Sequence, residues 1–262
     1  MNPEPCKVVC FSKGRSDTIG EQTLKLFPHM YLVVDEAERG DYEGLVPDDH
    51  LFTHPGLYPP IRICNFILDH PLLGAGDVAM IGDDTTDCFA MPGWTARRYN
   101  DPEVCEAVVQ NAAENAREMG AGVFGFAANS NPIIYEPYRP IHLTRWVASP
   151  FGFTKGHGLR FDERLTVMSD VDLCLQSLMK HRILWCDRRW TFVARALTNK
   201  GGNASIRSPE LYERERKLLK EKWGHYIRFD TQALHSSKRY KQGLPSTTMM
   251  TYVYVPRTQP MF

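Results

Sequence analysis

The sequence has no long hydrophobic run and no paired cysteine motif, and these absences exclude several classes of protein. No window reaches the roughly 18 consecutive apolar residues of a membrane-spanning helix, and the opening MNPEPCKVVCF lacks the basic-then-apolar order of a secretion signal. The seven cysteines are odd in number and form no CxxC pair, which argues against a zinc site or a disulfide framework. We therefore expect a soluble, intracellular protein with reduced thiols and no membrane partner.

The chain also lacks net charge, but its charges are unevenly distributed. From residue 181 onward there are 16 Lys and Arg against 6 Asp and Glu, and the totals of 31 each leave 15 against 25 before it, so the two parts carry about −10 and +10. An acidic region can hold a metal ion and a basic one can bind phosphates. Alternatively, the two oppositely charged surfaces pack against each other.

Short apolar runs alternate with helical patterns through the first half of the chain. Runs at 7–11, 30–36 and from Val78 predict strands, with helices at about 20–27 and 61–72 between them. This βαβα alternation predicts an α/β fold, with a mostly parallel, Rossmann-like sheet covered by helices on both faces. The length of 262 residues suits one such domain, and no linker or repeat divides it.

End signals predict further elements in the second half of the chain. Asp101 and Pro102 begin a helix that ends near Gly120, and GVFGFAA (122–128) is typical of a strand. The Gly-rich stretch SPFGFTKGHGLRFDERL (149–165) predicts hairpins or loops.

Two later helices and a late strand complete the pattern. Ser169 is the expected N-cap of the helix in SDVDLCLQSLMKH, and Ser208 with Pro209 begins another that ends at Gly224. The segment TTMMTYVYVP (247–256) is rich in β-formers and predicts a strand.

Polar residues follow each of the first three predicted strands. They are SKGR after the first strand, DE after the second and GDD after the third. Because the carboxyl ends of parallel strands share one edge of a sheet, these groups should converge on one ligand crevice.

The third strand end, in VAMIGDDTTDCF, places Asp83 beside Asp84 and adds Asp87. Adjacent carboxylates repel each other, and a magnesium or manganese ion that bridges them to the phosphates of a nucleotide relieves the repulsion. The alternative is that these acids solvate a turn and cap the next segment.

Several segments in order resemble the TET-associated glycosyltransferases of bacteriophages. They are FSKGRSDTIGEQTLKLFP, VVDEAERGDYE, NFILDH, the acidic strand end, SDVDLCLQSLMKHRILWCDRRWTF and NKGGNASIRSPELYERERKLLKEKWG, which together cover about residues 8–228. The resemblance implies a GT-A type fold and transfer of a sugar from a nucleotide donor to 5-hydroxymethylcytosine in DNA, where a TET-like oxygenase has installed the hydroxyl. It suggests UDP-glucose as donor and double-stranded phage DNA in the cytoplasm of a bacterial host as acceptor. Residues 1–130 would bind the donor and residues 131–262 the acceptor.

The resemblance also implies residue roles in donor and metal binding. The nucleotide-sugar would be bound by Ser12, Lys13, Arg15, Glu36, Asn65, Asp83, Gly201, Gly202 and Asn203. Asp84, assisted by Asp83, would hold Mn²⁺ or Mg²⁺. Gly82 stands where the family pattern has the first acid of a DxD-type motif. This leaves three alternatives: two acids suffice with water, Asp87 completes the site, or metal affinity is weakened.

The motif SDVD resembles the acidic motif that supplies a catalytic base in GT-A enzymes. Asp170 is the first candidate for removing the acceptor proton in an inverting reaction, and Asp172 is the second. Acids in a first helical turn are also favoured by the helix dipole, by about 0.3–1 kcal/mol, with no catalytic role.

Basic residues near the end of the chain predict contacts with DNA. In the segment SSKRYKQ, Lys238, Arg239 and Lys241 are the candidates for phosphate binding. The apolar positions of the preceding helix fit a buried stripe better than base stacking; they are Leu211, Leu218, Leu219 and Trp223.

Two other classes of function stay open: a transferase acting on a glycan, protein or small molecule, and a non-catalytic nucleic-acid binder.

Overall fold

The computed structural model describes residues 4–128, 130–144, 146–194, 208–229 and 251–253. The strands are β1 Lys7–Ser12, β2 Tyr31–Asp35, β3 Leu51–His54, β4 Val78–Gly82, β5 Thr85–Ala90, β6 Arg97–Arg98, β7 Val123–Phe126, β8 Ile141–His142, β9 Ala148–Phe153, β10 Trp185–Asp187, β11 Trp190–Ala194, β12 Ile227–Phe229 and β13 Thr251–Val253. The helices are α1 Thr23–Leu26, α2 Arg39–Tyr42, α3 Pro60–Asp69, α4 Pro102–Glu118, α5 Ser169–His181 and α6 Pro209–Trp223.

An eight-stranded mixed sheet of order β3-β2-β1-β4-β9-β7-β10-β8 forms the centre of the fold. Six of these strands run in one direction, and β9 and β8 run against them. We call the edge where those six strands end the carboxyl edge. The chain builds outward from β1 to β3 and then returns to place β4 on the other side of β1. This reversal creates a topological switch point between β1 and β4, where open α/β sheets bind ligands.

Alternating side chains build a hydrophobic core on each face of the sheet. In β1, Val8 and Cys10 face one core with α1 and α4, while Val9 faces the other with α3 and α5. This is the period of two that a strand imposes on its side chains. The predicted coverage of both faces by helices is confirmed.

Two smaller sheets complete the described part. Strands β11, β5 and β6 form an antiparallel sheet that begins directly after the acidic end of β4, and β12 pairs with β13. The second sheet lies near α6, whose apolar stripe packs on α5 through Leu219 and the partly buried Leu218 and Trp223. The predicted stripe is therefore confirmed at Leu219 and in part at Leu218 and Trp223, whereas Tyr212 takes the buried position expected for Leu211.

Most predicted helix ends are confirmed. Asp101 accepts a hydrogen bond from the Glu103 amide (2.9 Å) at the start of α4, and Ser208 accepts one from the Leu211 amide (3.1 Å) at the start of α6. The predicted strand near the end of the chain is present as β13.

Three predictions need correction. The helix expected at 20–27 is divided into a 3₁₀ turn, Ile19–Glu21, and the short α1. Part of the Gly-rich stretch expected to form hairpins or loops is β9, a central strand between β4 and β7, where Gly152 lets it pack against the Phe124 ring. Ser169 is not the N-cap of α5; Met168 holds that position without a side-chain cap.

Two expectations about membranes and thiols can be compared with the structure. Among the described residues, none of the helices combines the length and the apolar character needed to cross a bilayer. All seven cysteines are described, and each is a buried free thiol.

Candidate functional site at the carboxyl edge of the sheet

The loop after β1 and the acidic end of β4 meet at the switch point. The Ser12 hydroxyl donates to Asp83 Oδ2 (2.8 Å), and the Tyr42 hydroxyl lies 2.9 Å from Ser12 Oγ. Since the Ser12 proton is directed at Asp83, Tyr42 donates to Ser12. The Tyr42 oxygen also accepts from the Arg15 amide (3.0 Å). Tyr42 thereby holds both ends of the SKGR loop, a role that its sequence position in α2 does not indicate.

Arg15 is the cation at this point. Its guanidinium forms an ion pair with Asp83 and lies 3.7 Å from Asp84 Oδ2. The side chain is 11% exposed, and its Nε atom is buried without a hydrogen-bond partner among the described residues. A buried donor without a partner costs about 1–3 kcal/mol, which a ligand oxygen would recover.

The two adjacent acids differ in environment. Burial raises the pKa of Asp83 above its usual value, and Arg15 and the Ser12 hydroxyl act in the opposite direction. The Asp84 side chain is 18% exposed, and its Oδ1 lies 3.1 Å from where a Cβ on Gly82 would stand. Glycine at position 82 therefore gives the Asp84 carboxylate room to fold back beside the strand end.

Asp35, not Glu36, is the acid that the end of β2 brings into the crevice. Its Oδ2 lies 3.2 Å from Lys13 Nζ, and its Oδ1 accepts from the Ala37 amide (3.2 Å). That amide hydrogen bond lowers the pKa of Asp35. Burial acts in the opposite direction, and Lys13 lowers the pKa further. Glu36 is exposed, and the neighbouring acid Glu38 accepts from the Gly14 amide (2.7 Å).

His54, at the end of β3, is a residue of this edge that sequence reasoning missed. Its Nδ1 accepts from the Leu57 amide (3.0 Å), so the proton of the neutral ring lies on Nε2. That Nε2 is buried without a partner among the described residues, and burial lowers the pKa of the ring. The available signal was its position at the end of the short run LFTH, directly before the turn residues Pro55 and Gly56.

The donor set at the β4 end fits a divalent cation only in part. Within the ranges that the structure describes, no three His, Cys, Asp or Glu side chains are grouped to hold a metal ion. Asp87 does not complete the set, because it binds Arg98 (3.0 Å) and Asn100 (2.9 Å). Mg²⁺ in nucleotide sites commonly takes one or two carboxylates plus phosphate oxygens. Asp84 and Asp83 fit that smaller requirement, with Asp84 the less engaged.

The first turn of α5 separates the two candidate bases. Asp170 is partly exposed, and its Oδ1 accepts from the Val171 amide (2.8 Å). Asp172 is completely buried and accepts from Trp223 Nε1 (2.7 Å), with Lys222 Nζ at 2.8 Å. A carboxylate enclosed in this way joins α5 to α6 and does not reach an acceptor hydroxyl. Asp172 is therefore set aside as a base.

Asn65 also has a structural role. Its side-chain amide donates to the Phe161 carbonyl (3.1 Å) and accepts from the Phe161 amide (3.0 Å). The residue is 2% exposed, so it fastens α3 to the loop before α5 instead of facing the crevice. We remove it from the candidate nucleotide-binding residues.

Several predicted site residues lie outside the described residues. They are Gly201, Gly202 and Asn203 in the Gly-rich segment and Lys238, Arg239 and Lys241 in the basic segment. The last described residue before the Gly-rich segment is Ala194, which pairs with Thr85 in the β11–β5 ladder. Thr85 directly follows Asp84 in the sequence.

A separate open cleft lies at the opposite edge of the sheet. Its volume is about 610 Å³, and it is lined at the strand starts by Lys7 and Tyr31 together with Glu106 and Gln110. It contains none of the groups that converge after β1, β2 and β4.

The fold and the crevice define an α/β protein with a Rossmann-like, mostly parallel sheet and a polar site at its switch point. Comparison with known proteins assigns no family, because no family model matches the chain and no curated protein matches it significantly.

Proposed function

We propose that the chain is a GT-A type glycosyltransferase that moves a sugar, with glucose from UDP-glucose as first choice, to 5-hydroxymethylcytosine in DNA. The observation that carries the proposal is the meeting of Arg15 with Asp83 and Asp84 at the β1–β4 switch point. The order of the resembling segments along the chain supports the reaction class and the acceptor.

The crevice residues fit the parts of a nucleotide diphosphate. Arg15 offers phosphate oxygens a planar guanidinium whose Nε has no partner among the described residues, and the planar fork suits bidentate recognition. The Lys13–Asp35 pair lies at the neighbouring strand end and offers a cation and a hydrogen-bond acceptor to the nucleoside. His54 Nε2 provides a further donor there.

Asp84, with Asp83, would hold Mn²⁺ or Mg²⁺ in this proposal. When bound, such an ion neutralises the diphosphate that leaves the sugar. The diphosphate would then be bound from two sides: by Arg15 of the loop after β1, and by the cation that the two carboxylates hold at the end of β4. Gly82 allows this arrangement because it places no side chain against Asp84.

Asp170 is the proposed base for the acceptor hydroxyl. It is the partly exposed acid of the two in the first turn of α5, and Asp172 is occupied by α6. A positioned carboxylate that removes a proton contributes typically about 10²- to 10⁴-fold to the rate.

The test is mass spectrometry of hydroxymethylated DNA after incubation with a panel of nucleotide sugars and Mn²⁺. Wild type should add one hexose per modified cytosine. The rate of transfer by Asp84→Asn should be at least about 100-fold lower, because several kcal/mol of charge stabilisation depend on the cation. The matched control is Asp49→Asn, an exposed acid at the opposite edge, which should transfer as wild type does.

Two results would count against the proposal. If Asp84→Asn transfers sugar at the wild-type rate in a chelating buffer, the metal role fails. If no nucleotide sugar yields a mass shift on the modified DNA, the reaction itself fails. If the protein consumes the donor as fast with plain cytosine DNA as with hydroxymethylated DNA, the result shows hydrolysis of the donor and not transfer to the modified base.

A further inference from the structure

We propose that an exposed aromatic–arginine patch at the far end of β5 from the crevice binds the DNA strand that flanks the acceptor base. The patch consists of Trp94, Arg97 and Arg98 on the β5–β6 hairpin and of Tyr138 and Arg139 on the neighbouring loop. This inference rests on the proposed function, since DNA is its acceptor. It adds a binding surface different from the basic segment near the end of the chain.

The two rings of the patch are unusually exposed. Trp94 is 72% and Tyr138 is 76% exposed, although tryptophan is on average among the more buried residue types. Trp94 follows Gly93, whose φ of 117° turns the hairpin outward in a conformation that suits glycine. Flat rings held away from the core at a turn are available for stacking.

Packing beneath the rings keeps the two segments together. Met91 at the base of the hairpin and Tyr135 in the loop are buried with Ala127 in one small cluster. The Met91 amide also donates to the Arg189 carbonyl (2.8 Å). Trp94 and Tyr138 each lie three residues beyond one of these anchors, so the buried cluster holds the two ring-bearing segments next to each other.

The charge of the patch suits a polyanion. Segments 91–99 and 132–139 contain three Arg and a single acid, Glu136, which pairs with Arg188 (3.0 Å). Arg97 is exposed and forms no ion pair with any described residue. Arg98 is paired with Asp87 (3.0 Å) and lies 5.6 Å from the Phe89 ring centroid, and Arg139 lies 5.9 Å from that of Tyr138. Arg97 and Arg139 are therefore the main cations of the patch. This basic surface stands in the otherwise acidic part of the chain.

Cations beside stacking rings are the combination that binds a nucleic-acid strand without sequence preference. The position is also suitable, because β5 begins directly after Asp84 and its residues Thr85–Ala90 span about 20 Å. At about 3.4 Å per nucleotide, that length corresponds to roughly six steps along a strand. DNA with its acceptor base at the crevice would reach the patch with its flanking nucleotides.

The experiment measures binding of the full chain to a hydroxymethylated oligonucleotide of about 16 nucleotides, single-stranded and as duplex, over a salt series. Trp94→Ala should weaken binding about 5- to 150-fold, the range for one lost stacking contact, with little change in salt dependence. Arg97→Gln should lower the slope of log K against log salt by about 0.7–0.9, as for one lost phosphate contact.

Two variants elsewhere on the surface are the matched controls. Leu72→Ala removes an apolar side chain that is 46% exposed near the opposite edge, and Lys25→Gln removes an exposed cation of α1. Both should bind DNA as wild type does. Thermal unfolding of all four variants checks that each is folded.

Wild-type affinity and salt slope in both Trp94→Ala and Arg97→Gln would overturn the inference. A fall in molar mass with Trp94→Ala, at unchanged DNA affinity, would assign the patch to self-association and overturn it also. Failure of the proposed function gives a different result: wild type binds DNA through the patch but transfers no sugar. If wild type transfers sugar while both variants bind normally, only the patch is refuted.

Discussion

Removal of the Glu215 carboxylate should destabilise the protein more than any exposed acid does. Glu215 lies on α6 with no solvent exposure, and it accepts from the amides of Thr166 (2.7 Å), Val167 (3.0 Å) and Met168 (2.9 Å). These amides precede α5, whose own N-cap offers no side-chain hydrogen bond. One carboxylate from a distant helix therefore satisfies three consecutive amide donors of the turn that leads into α5.

The magnitude follows from those three contacts. Glu215→Ala leaves three N–H donors without this acceptor, one buried at Met168 and two partly buried, and a buried donor costs about 1–3 kcal/mol if nothing replaces the acceptor. Water that enters the space recovers part of this, and the variant no longer has to desolvate a carboxylate. We expect a loss of about 4 kcal/mol in the free energy of unfolding. At about 2–4 °C per kcal/mol for a chain of this size, Tm falls by roughly 8–16 °C.

Urea unfolding and thermal unfolding measure this loss directly. Glu215→Gln should fall between wild type and Glu215→Ala, because it keeps one acceptor but turns its NH₂ group toward an amide donor. The control is Glu213→Gln on the same helix, whose side chain is 69% exposed and pairs with Arg216. A loss below about 1 kcal/mol for Glu215→Ala would refute the reasoning. So would an equal loss in the Glu213 control.

Two further predictions concern packing and pH. Gly152→Ala would press a Cβ into the Phe124 ring and to 2.6 Å from the Val78 carbonyl oxygen. Overpacking of this kind should lower the free energy of unfolding, measured in urea, by about 1–3 kcal/mol. Gly20→Ala is the control, because a Cβ there meets nothing within 4 Å, and its stability should be near that of wild type. Burial lowers the pKa of His157 from 6.5 to about 4, and the nearby His181 and Lys180 add to the effect. Between pH 6.5 and 4 the unfolded chain therefore binds a proton that the folded protein does not, so the free energy of unfolding falls as the pH falls through this range. His157→Gln should lose less Tm than wild type between those pH values, and parallel Tm profiles would contradict the assignment.

The convergence of strand ends was predictable from the sequence. Ser12, Asp35 and Asp83 follow apolar runs in a βαβα pattern, and parallel strands end at one edge. The partners within the crevice were not predictable. Tyr42 contacts Ser12 across 30 residues, and His54 reaches the same edge from a third strand. Nothing local to those positions specifies which side chain lies opposite.

The two candidate bases illustrate the limit for helices. Asp170 and Asp172 are two positions apart, so at 3.6 residues per turn they face roughly opposite sides of α5. Only the position of α6 decides that Asp172 is the enclosed one, through Lys222 and Trp223 about 50 residues away. The sequence identified an acidic helix start but not its buried side.

The sequence by itself determined the alternation of β1, β2 and β4 with helices, the two caps at Asp101 and Ser208, and the acids at the end of β4, because these depend on neighbouring residues. The short strands β3, β5, β6, β8, β10, β11 and β12 were not predicted. Tertiary structure alone decided that β9 is a central strand, that Asn65 and Asp172 are internal ties, and that Arg15 stands between Asp83 and Asp84. Such outcomes depend on which distant surfaces are buried together, because a polar or charged group that is buried must find its hydrogen-bond or ion-pair partner on the surface packed against it.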